Sequence, residues 1–181
     1  MNRKQTTAFL SNLLINTRLS GVGKYYSREV TLDWGTQFER RVDFMEFQPP
    51  SQLCVGDIEK GIFICYEVKS CKEDVYSGNG LNFVGEKNYI VTTMDCYKEI
   101  QEDIKSGKLQ QHVLGLSPDN CPCYGIMVAA PVLSDLTQEY EKPTKLGAPG
   151  DWELKIVIPG RQYYRRKPMT ELLFCMLRSG R

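Results

Sequence analysis

The stretch that decides the fold runs Gly61-Ile62-Phe63-Ile64-Cys65-Tyr66-Glu67-Val68-Lys69-Ser70. Its apolar, β-branched and aromatic residues predict a strand near the centre of a sheet. Because successive side chains of a strand alternate between its two faces, Glu67 and Lys69 leave it on one face, and Ile64, Tyr66 and Val68 take the other. An acid and a base are therefore expected to share one surface of the sheet.

Outward from this strand, the same patterns predict the other elements. Strands are expected at 25–32, 38–47, 88–93 and 125–130, with a further one at 152–158, and helices at 2–19, 95–108 and 168–178. Asn2 and Gln5 are spaced as a helix-capping pair, and residues 134–151 have the composition of an exposed loop. The chain is thus predicted to have a mixed α/β fold, with a central mixed sheet of about five strands flanked by helices.

Length and composition favour one globular domain over residues 1–181, with its core at 2–130 and a basic and aromatic C-terminal extension at 151–181. Hydrophobic residues make up 41% of the chain and charged residues 25%, which excludes a disordered protein. The net charge of +1 gives no general attraction to polyanions. The odd number of cysteines, seven, indicates reduced thiols, and no apolar run is long enough for a membrane span or a signal peptide. These features predict a cytoplasmic protein with no membrane partner.

A second acidic residue is expected beside Glu67. Asp43 lies between Val42 and Phe44 in the predicted strand 38–47, so its side chain should point away from both and meet Glu67 if the strands are neighbours. Two close carboxylates repel each other unless a cation separates them, and Mg²⁺ (or Mn²⁺) is the usual partner for oxygen ligands. Lys69 could then either activate the attacking water or stabilise charge on a phosphate.

The element order and the motifs Arg41-Val42-Asp43-Phe44 and Tyr66-Glu67-Val68-Lys69-Ser70 resemble the PD-(D/E)xK nuclease superfamily over about residues 2–130. Within it, the chain is similar to small MmcB-like DNA-repair proteins of phages and bacteria, although Val42 replaces the proline that is frequent before the aspartate. The resemblance implies a restriction-endonuclease-like core and Mg²⁺-dependent hydrolysis of phosphodiester bonds. It assigns catalysis to Asp43, Glu67 and Lys69, metal binding to Asp43, Glu67 and Glu29, and a second positive group to Lys87.

A basic and aromatic segment near the C-terminus is the candidate nucleic-acid contact, because rings can stack on bases while cations neutralise phosphates. The alternative is a structural segment with tyrosines packed inward and solvated arginines. Its candidate residues, taken together with Lys87, are Arg161, Tyr163, Tyr164, Arg165, Arg166 and Lys167.

Other motifs carry no predicted chemistry. Cys121-Pro122-Cys123 lacks zinc-site spacing, and His112 has no partner at a suggestive distance along the chain. Gly78-Asn79-Gly80 lacks the spacing of a phosphate-binding loop and is interpreted as a turn.

Three functions remain open from the sequence. The first is a nuclease or nuclease-like DNA-processing protein that acts on DNA or RNA. The second is a non-catalytic protein on the same scaffold, from a phage or mobile element, that inhibits a host machine by binding a protein or ribonucleoprotein; an anti-CRISPR protein acting on a Cas nuclease is an example. The third is a structural domain in which the three charges form a salt-bridge cluster. An oligomer is left open by analogy with dimeric nucleases of this fold.

Overall fold

The computed structural model describes residues 1–50 and 55–179, and its elements alternate along the chain as a mixed α/β protein. The helices are α1 (Arg3–Leu14), α2 (Lys72–Val75), α3 (Met94–Lys105), α4 (Lys108–Leu116), α5 (Leu136–Glu141) and α6 (Met169–Ser179). The strands are β1 (Tyr25–Leu32), β2 (Arg40–Gln48), β3 (Ile62–Val68), β4 (Lys87–Thr93), β5 (Gly125–Pro131) and β6 (Trp152–Ile158). A π-helical turn (Ile15–Leu19) continues α1, and a 3₁₀ helix (Val55–Lys60) precedes β3.

The six strands form one mixed sheet in the order β1-β2-β3-β4-β5-β6. β2 runs antiparallel to both β1 and β3. β4 is parallel to β3 and β5 is parallel to β4, and β6 runs antiparallel to β5. The predicted mixed sheet flanked by helices is confirmed, with one strand more than the five expected. The sixth strand is the segment 152–158, so the C-terminal part of the chain belongs to the same sheet.

Helices cover both faces of the sheet. On one face, α1 and its π-helical extension bury Leu10, Leu14 and Leu19 against Tyr66 and Val91. On the other face, the buried side chains of α3, α4 and α6 pack with the odd-numbered residues of β3, such as Cys65. The alternation predicted for β3 therefore decides which helices each of its residues meets.

The start of α1 confirms its predicted capping pair. The Asn2 side chain accepts from the Gln5 backbone N–H at 2.9 Å, and the Gln5 side chain accepts from the Asn2 N–H at 3.0 Å. This reciprocal pair satisfies two backbone donors that a helix N-terminus leaves free.

Two predicted segments differ from the structure. The helix expected at 95–108 is α3 and ends at Lys105, because Gly107 adopts a φ of +76°, and the helix α4 that follows at Lys108 was not predicted. The loop expected at 134–151 contains α5, whose N-cap is Asp135, and the buried carboxylate of Glu139 accepts from the Thr144 N–H and hydroxyl at 2.9 and 2.6 Å. Local hydrogen bonds thus order a stretch whose composition indicated a loop.

None of the helices in residues 1–50 and 55–179 is long and apolar enough to cross a membrane. The cysteines of these residues are free thiols, and Cys54 lies outside the described residues.

Candidate functional site

Glu67 and Lys69 converge at one point on the face of β3 that packs against α3 and α4. Glu67 is fully buried and Lys69 nearly so. A Cβ atom added to Gly80 would lie 2.5 Å from Glu67 Oε2 and 2.7 Å from Lys69 Nζ, so both atoms touch the same small space. The prediction that this acid and this base share a face of the strand is confirmed.

Asp43 reaches the same place, but not by the predicted alternation. Regular pairing of β2 with β3 ends at Phe44 and Tyr66, and Asp43 Oδ2 instead accepts from the Val68 N–H at 2.8 Å. Val42 packs on the α3 and α4 side of the sheet and Phe44 on the α1 side. The expectation that these two neighbours share a face was therefore wrong, because β2 is not a regular strand at Asp43.

The adjoining strand is irregular at the same level. Glu29 lies opposite Asp43 in the β1–β2 register and adopts a φ of +53°, in the left-handed region that non-glycine residues rarely occupy. Its Oε2 atom lies 2.5 Å from Arg41 Nε, and its side chain is about half exposed. Glu29 is thus held by an arginine at the rim and does not join Glu67.

The predicted set of three carboxylates is not assembled. Within residues 1–50 and 55–179, no group of three or more His, Cys, Asp or Glu side chains is arranged to hold a metal ion. The acidic pair that remains is Asp43 and Glu67, and the two side chains interact electrostatically. Glu29 was predicted as a metal ligand from its position along the chain. Its side chain is instead paired with Arg41, which the sequence could not show.

Burial and mutual repulsion disfavour ionisation of this pair. Burial is the main cause that raises the pKa of Glu67 to about 8; Asp43 raises it further, and Lys69 opposes both. Burial also raises the pKa of Asp43, against the Val68 N–H and Lys69, which lower it. At neutral pH, Glu67 therefore carries a proton unless a cation stabilises its charge.

One oxygen of Glu67 has no partner. Its Oε1 atom accepts from the Asn82 N–H at 3.0 Å, whereas its buried Oε2 atom has no partner at hydrogen-bond geometry; the Leu81 N–H also attracts the carboxylate, but less than the Asn82 N–H does. A buried polar atom without a partner is costly and is rare in folded proteins, where it marks strain, a functional role or a missing ion. This atom, beside Asp43 and Lys69, is the strongest indication of a ligand site, and carboxylate oxygens are the donors that Mg²⁺ prefers.

Residues 77–82 lie over Glu67 and Lys69, an arrangement that the sequence did not predict. Lys69 Nζ donates to the Asn79 carbonyl at 2.6 Å, and Asn82 Nδ2 donates to the Arg41 carbonyl at 2.8 Å. Gly78 and Gly80 have φ of +78° and +81°, so the predicted turn is present. The two glycines signalled the turn, but no local pattern showed that it would fold over Glu67.

A second carboxylate network lies beside Lys69. Asp74 Oδ2 accepts from the Ser70 N–H and hydroxyl, both at 3.0 Å, and Oδ1 lies 2.5 Å from an Arg3 Nη2 atom. Burial alone would raise the pKa of Asp74, but the Ser70 N–H and Lys69 outweigh it and the pKa is lowered. This network ties the start of α1 to the end of β3.

Asp43 and Lys69 line an open cleft of about 1170 Å³. One wall is the β1–β2 connection (residues 33–39), and another is the segment 116–119 after α4. Glu67 does not line the cleft and lies behind Gly80. Asp43, which is half-buried, is therefore the member of the cluster with the most access to the cleft, whereas Lys69 is almost completely buried at its floor and Glu67 is covered.

Lys87 does not approach this cluster. It pairs with Ile64 in the β3–β4 register, three positions before the Glu67–Ile90 pair. Tyr89, two residues later, packs on the α1 side of the sheet, so Lys87 also points to that side, away from Glu67. Its position does not support the prediction that Lys87 is a second positive group near the scissile phosphate.

Two of the four cations of the basic and aromatic segment, Arg165 and Lys167, are paired with carboxylates. Arg165 Nη1 lies 3.1 Å from Glu86 Oε1, and Lys167 Nζ lies 2.7 Å from Asp33 and 2.8 Å from Glu171. These ion pairs make Arg165 and Lys167 less available to phosphates, but they differ from the structural alternative too, which required solvated arginines.

The rest of the segment is more open to solvent. Arg166 donates to the carbonyls of Pro118 and Asp119 at 3.4 and 3.3 Å, at the edge of the cleft. Arg161, Tyr163 and Tyr164 are exposed, so the tyrosines do not pack inward as the structural alternative required.

His112 lies with its ring centre 4.9 Å from that of Tyr76, away from Asp43 and Glu67 in the sheet. The Cys123 N–H donates to Cys121 Sγ at 3.3 Å, which is a turn contact.

Comparisons with protein-family models, with curated proteins and with solved structures give no match for this chain.

Proposed function

We propose that Asp43, Glu67 and Lys69 form the site of a Mg²⁺- or Mn²⁺-dependent nuclease that hydrolyses phosphodiester bonds of DNA or RNA. The observation that carries this proposal is the buried, unpartnered Oε2 atom of Glu67 beside a second carboxylate and a lysine. A salt-bridge cluster would pair that oxygen, whereas a cation site needs it free.

The residues of the site have different roles in this proposal. Asp43 and Glu67 would hold the ion, whose positive charge allows both carboxylates to ionise and makes a bound water more acidic. Lys69, at the cleft floor, would orient the attacking water or neutralise a phosphate oxygen. Asn79, which accepts from Lys69 Nζ, keeps the ammonium group in place.

The topology supports a restriction-endonuclease-like core as part of the same proposal. α1 packs on one face of a sheet in which β2 is antiparallel to its neighbours β1 and β3, and β4 is parallel to β3. The acidic residue is on β2 and the Glu-x-Lys motif on β3, as in the superfamily that the sequence resembles. The departure is α2, which is a single turn between β3 and β4.

A non-catalytic binding protein on this scaffold is the second candidate, and one observation favours it. Glu67 is fully buried behind Gly80 and does not line the cleft, so one acid of the pair is closed to a substrate. In that case the cleft would hold part of a protein or ribonucleoprotein partner, such as a host nuclease that the chain inhibits.

Titration calorimetry with Mn²⁺, followed by cleavage assays on labelled single-stranded and duplex DNA and RNA, tests the proposal. Wild type should bind the ion and cut at least one substrate, and Asp43→Asn and Glu67→Gln should lose both properties. Glu46→Gln is the matched control, because Glu46 is equally buried but accepts from the Tyr66 hydroxyl at 2.8 Å and pairs with Lys24.

The outcomes separate the candidates. Ion binding lost only in Asp43→Asn and Glu67→Gln, with cleavage lost in Lys69→Met, supports the nuclease. Ion binding without cleavage supports the binding protein. No ion binding by wild type contradicts the metal site.

A further inference from the structure

Two aromatic rings are exposed to solvent on one wall of the cleft. Trp34 is 66% exposed and Phe38 69% exposed, and both line the same cleft as Asp43 and Lys69. Clustered large apolar side chains on a surface mark interaction sites, whereas single ones do not. Their position beside the candidate site indicates that they contact its ligand.

The segment that carries the rings is ordered by its own hydrogen bonds. The Thr36 N–H donates to the Asp33 carbonyl at 3.1 Å, the Gly35 N–H to Glu39 Oε2 at 2.9 Å, and the Phe38 N–H to Thr36 Oγ1 at 3.1 Å. Binding to a surface that is already ordered loses little conformational entropy. The two rings are therefore presented in a defined arrangement.

One face of Trp34 is already occupied. The guanidinium carbon of Arg178 lies 5.1 Å from the Trp34 ring centre. With most of the side chain still exposed, the remaining face is open to a flat partner. An aromatic ring supported from behind by a cation is well suited to stacking.

The charges of the cleft argue against binding through phosphates alone. Of the described residues that line it, six are acidic and four are basic. The guanidinium groups that face it are paired with carboxylates, Arg40 with Asp33 and Asp119, and Arg41 with Glu29. Since affinity for a nucleic-acid backbone comes from cations that neutralise phosphates, most of the affinity here has to come from the rings.

We propose that Trp34 and Phe38 are a stacking platform for unpaired bases, so that the ligand of this cleft is single-stranded nucleic acid rather than a duplex. This inference rests on the proposed nuclease function and specifies its substrate. Every base has a π-face, so the platform tolerates any sequence. In a duplex these faces are stacked on the neighbouring base pairs, so they cannot stack on Trp34 and Phe38.

A fluorescence titration reads the platform directly. The chain has two tryptophans, so Trp152→Phe leaves Trp34 as the sole tryptophan, and excitation at the red edge of the absorption band, where the ten tyrosines do not absorb, reads it alone. Trp152 lies on β6, where its indole N–H donates to the Ala148 carbonyl at 3.0 Å, and it does not line the cleft. We expect a short oligothymidylate, with chelator present to prevent cleavage, to quench Trp34, and a duplex of equal length to leave its emission unchanged.

Affinities of the full chain for the labelled oligothymidylate give the size of the effect. Trp34→Ala and Phe38→Ala should each weaken binding by about 5- to 150-fold, the range for one stacked base. Trp34→Tyr, which keeps a ring, should recover most of the loss. Phe174→Ala is the matched control, since Phe174 is 63% exposed on α6 and does not line the cleft.

Salt dependence gives an independent check. Arg3 and Arg41 have the most exposed guanidinium groups of the cleft, and each is already paired with a carboxylate, so two phosphate contacts are the most that they could add. Two contacts correspond to a slope of about −1.4 in log affinity against log salt. A much steeper slope would assign the affinity to phosphates and overturn the platform.

The remaining outcomes are also decisive. Equal quenching of Trp34 by the duplex overturns the inference, and so does unchanged affinity in both alanine variants. A chain that binds neither the oligothymidylate nor the duplex also overturns it, and the rings would then contact a protein partner. If oligothymidylate does not quench Trp34 but the protein binds Mn²⁺, only the inference of base stacking fails. Quenching without Mn²⁺ binding defeats only the metal site.

Discussion

Replacing Gly80 by alanine tests the geometry of the buried pair without assuming any activity. The new Cβ would lie 2.5 Å from Glu67 Oε2 and 2.7 Å from Lys69 Nζ, closer than real Cβ atoms approach other heavy atoms. Both side chains would have to move. Lys69 would then lose or weaken its hydrogen bond to the Asn79 carbonyl, which measures 2.6 Å.

Gly78→Ala is the matched control, because it shares the backbone strain but not the contact. Gly78 has a φ of +78° and Gly80 a φ of +81°, and a Cβ added at Gly78 would meet nothing within 4 Å. The left-handed conformation should cost each variant about 1–2 kcal/mol. Gly80→Ala should lose up to about 3 kcal/mol more, the upper value of a hydrogen bond to a charged group, because Glu67 Oε2 and Lys69 Nζ are ends of flexible side chains that relieve part of the clash by moving.

Urea denaturation, followed by far-ultraviolet circular dichroism, measures both losses. In a Glu67→Ala background, the space at Gly80 opens and the difference between the two glycine variants should shrink. Equal losses for Gly78→Ala and Gly80→Ala would refute the packing of Gly80 against Glu67 and Lys69.

Three further predictions follow from the charges. Because the pKa of Glu67 is raised from 4.5 to about 8 by burial first and then by Asp43, affinity for Mn²⁺ should rise about tenfold per pH unit up to about pH 8 and then level; calorimetry at several pH values would contradict this by showing a flat affinity. For the same reason, the metal-free protein should lose stability as the pH rises from about 4.5 to about 8, since the unfolded chain releases the Glu67 proton first, and Glu67→Gln should weaken that dependence; identical urea midpoints against pH in both proteins would count against it. Arg40→Met should lower the free energy of unfolding by only about 1 kcal/mol, because Asp33 keeps Lys167 at 2.7 Å and Asp119, which loses the guanidinium at 3.1 Å, is about half exposed; a loss well above that value would show that the Arg40 pairs contribute more than surface ion pairs do.

Local patterns were sufficient for much of the fold. The capping pair Asn2 and Gln5, the bounds of β1 and the shared face of Glu67 and Lys69 all follow from residues a few positions apart. Helix caps and strand alternation depend on neighbours along the chain, so a single sequence carries them.

The candidate site needed the folded chain. Glu29 and Asp43 both lie where their strands are irregular, so strict alternation does not hold there and Val42 and Phe44 lie on opposite faces. No pattern near Arg165 or Lys167 shows that each meets a carboxylate far along the chain, at Glu86 and Asp33. Charge pairing depends on which side chains folding brings within a few ångströms.

The sequence by itself determined that an acid and a lysine leave one face of a central strand. Only the tertiary structure decided that Asp43 joins them, that Glu29 does not, and that residues 77–82 fold over Glu67 and leave one of its oxygens without a partner. The first result follows from the two-residue repeat of a strand, which is local. The second depends on where a distant turn closes, and that is set by the packing of the whole chain.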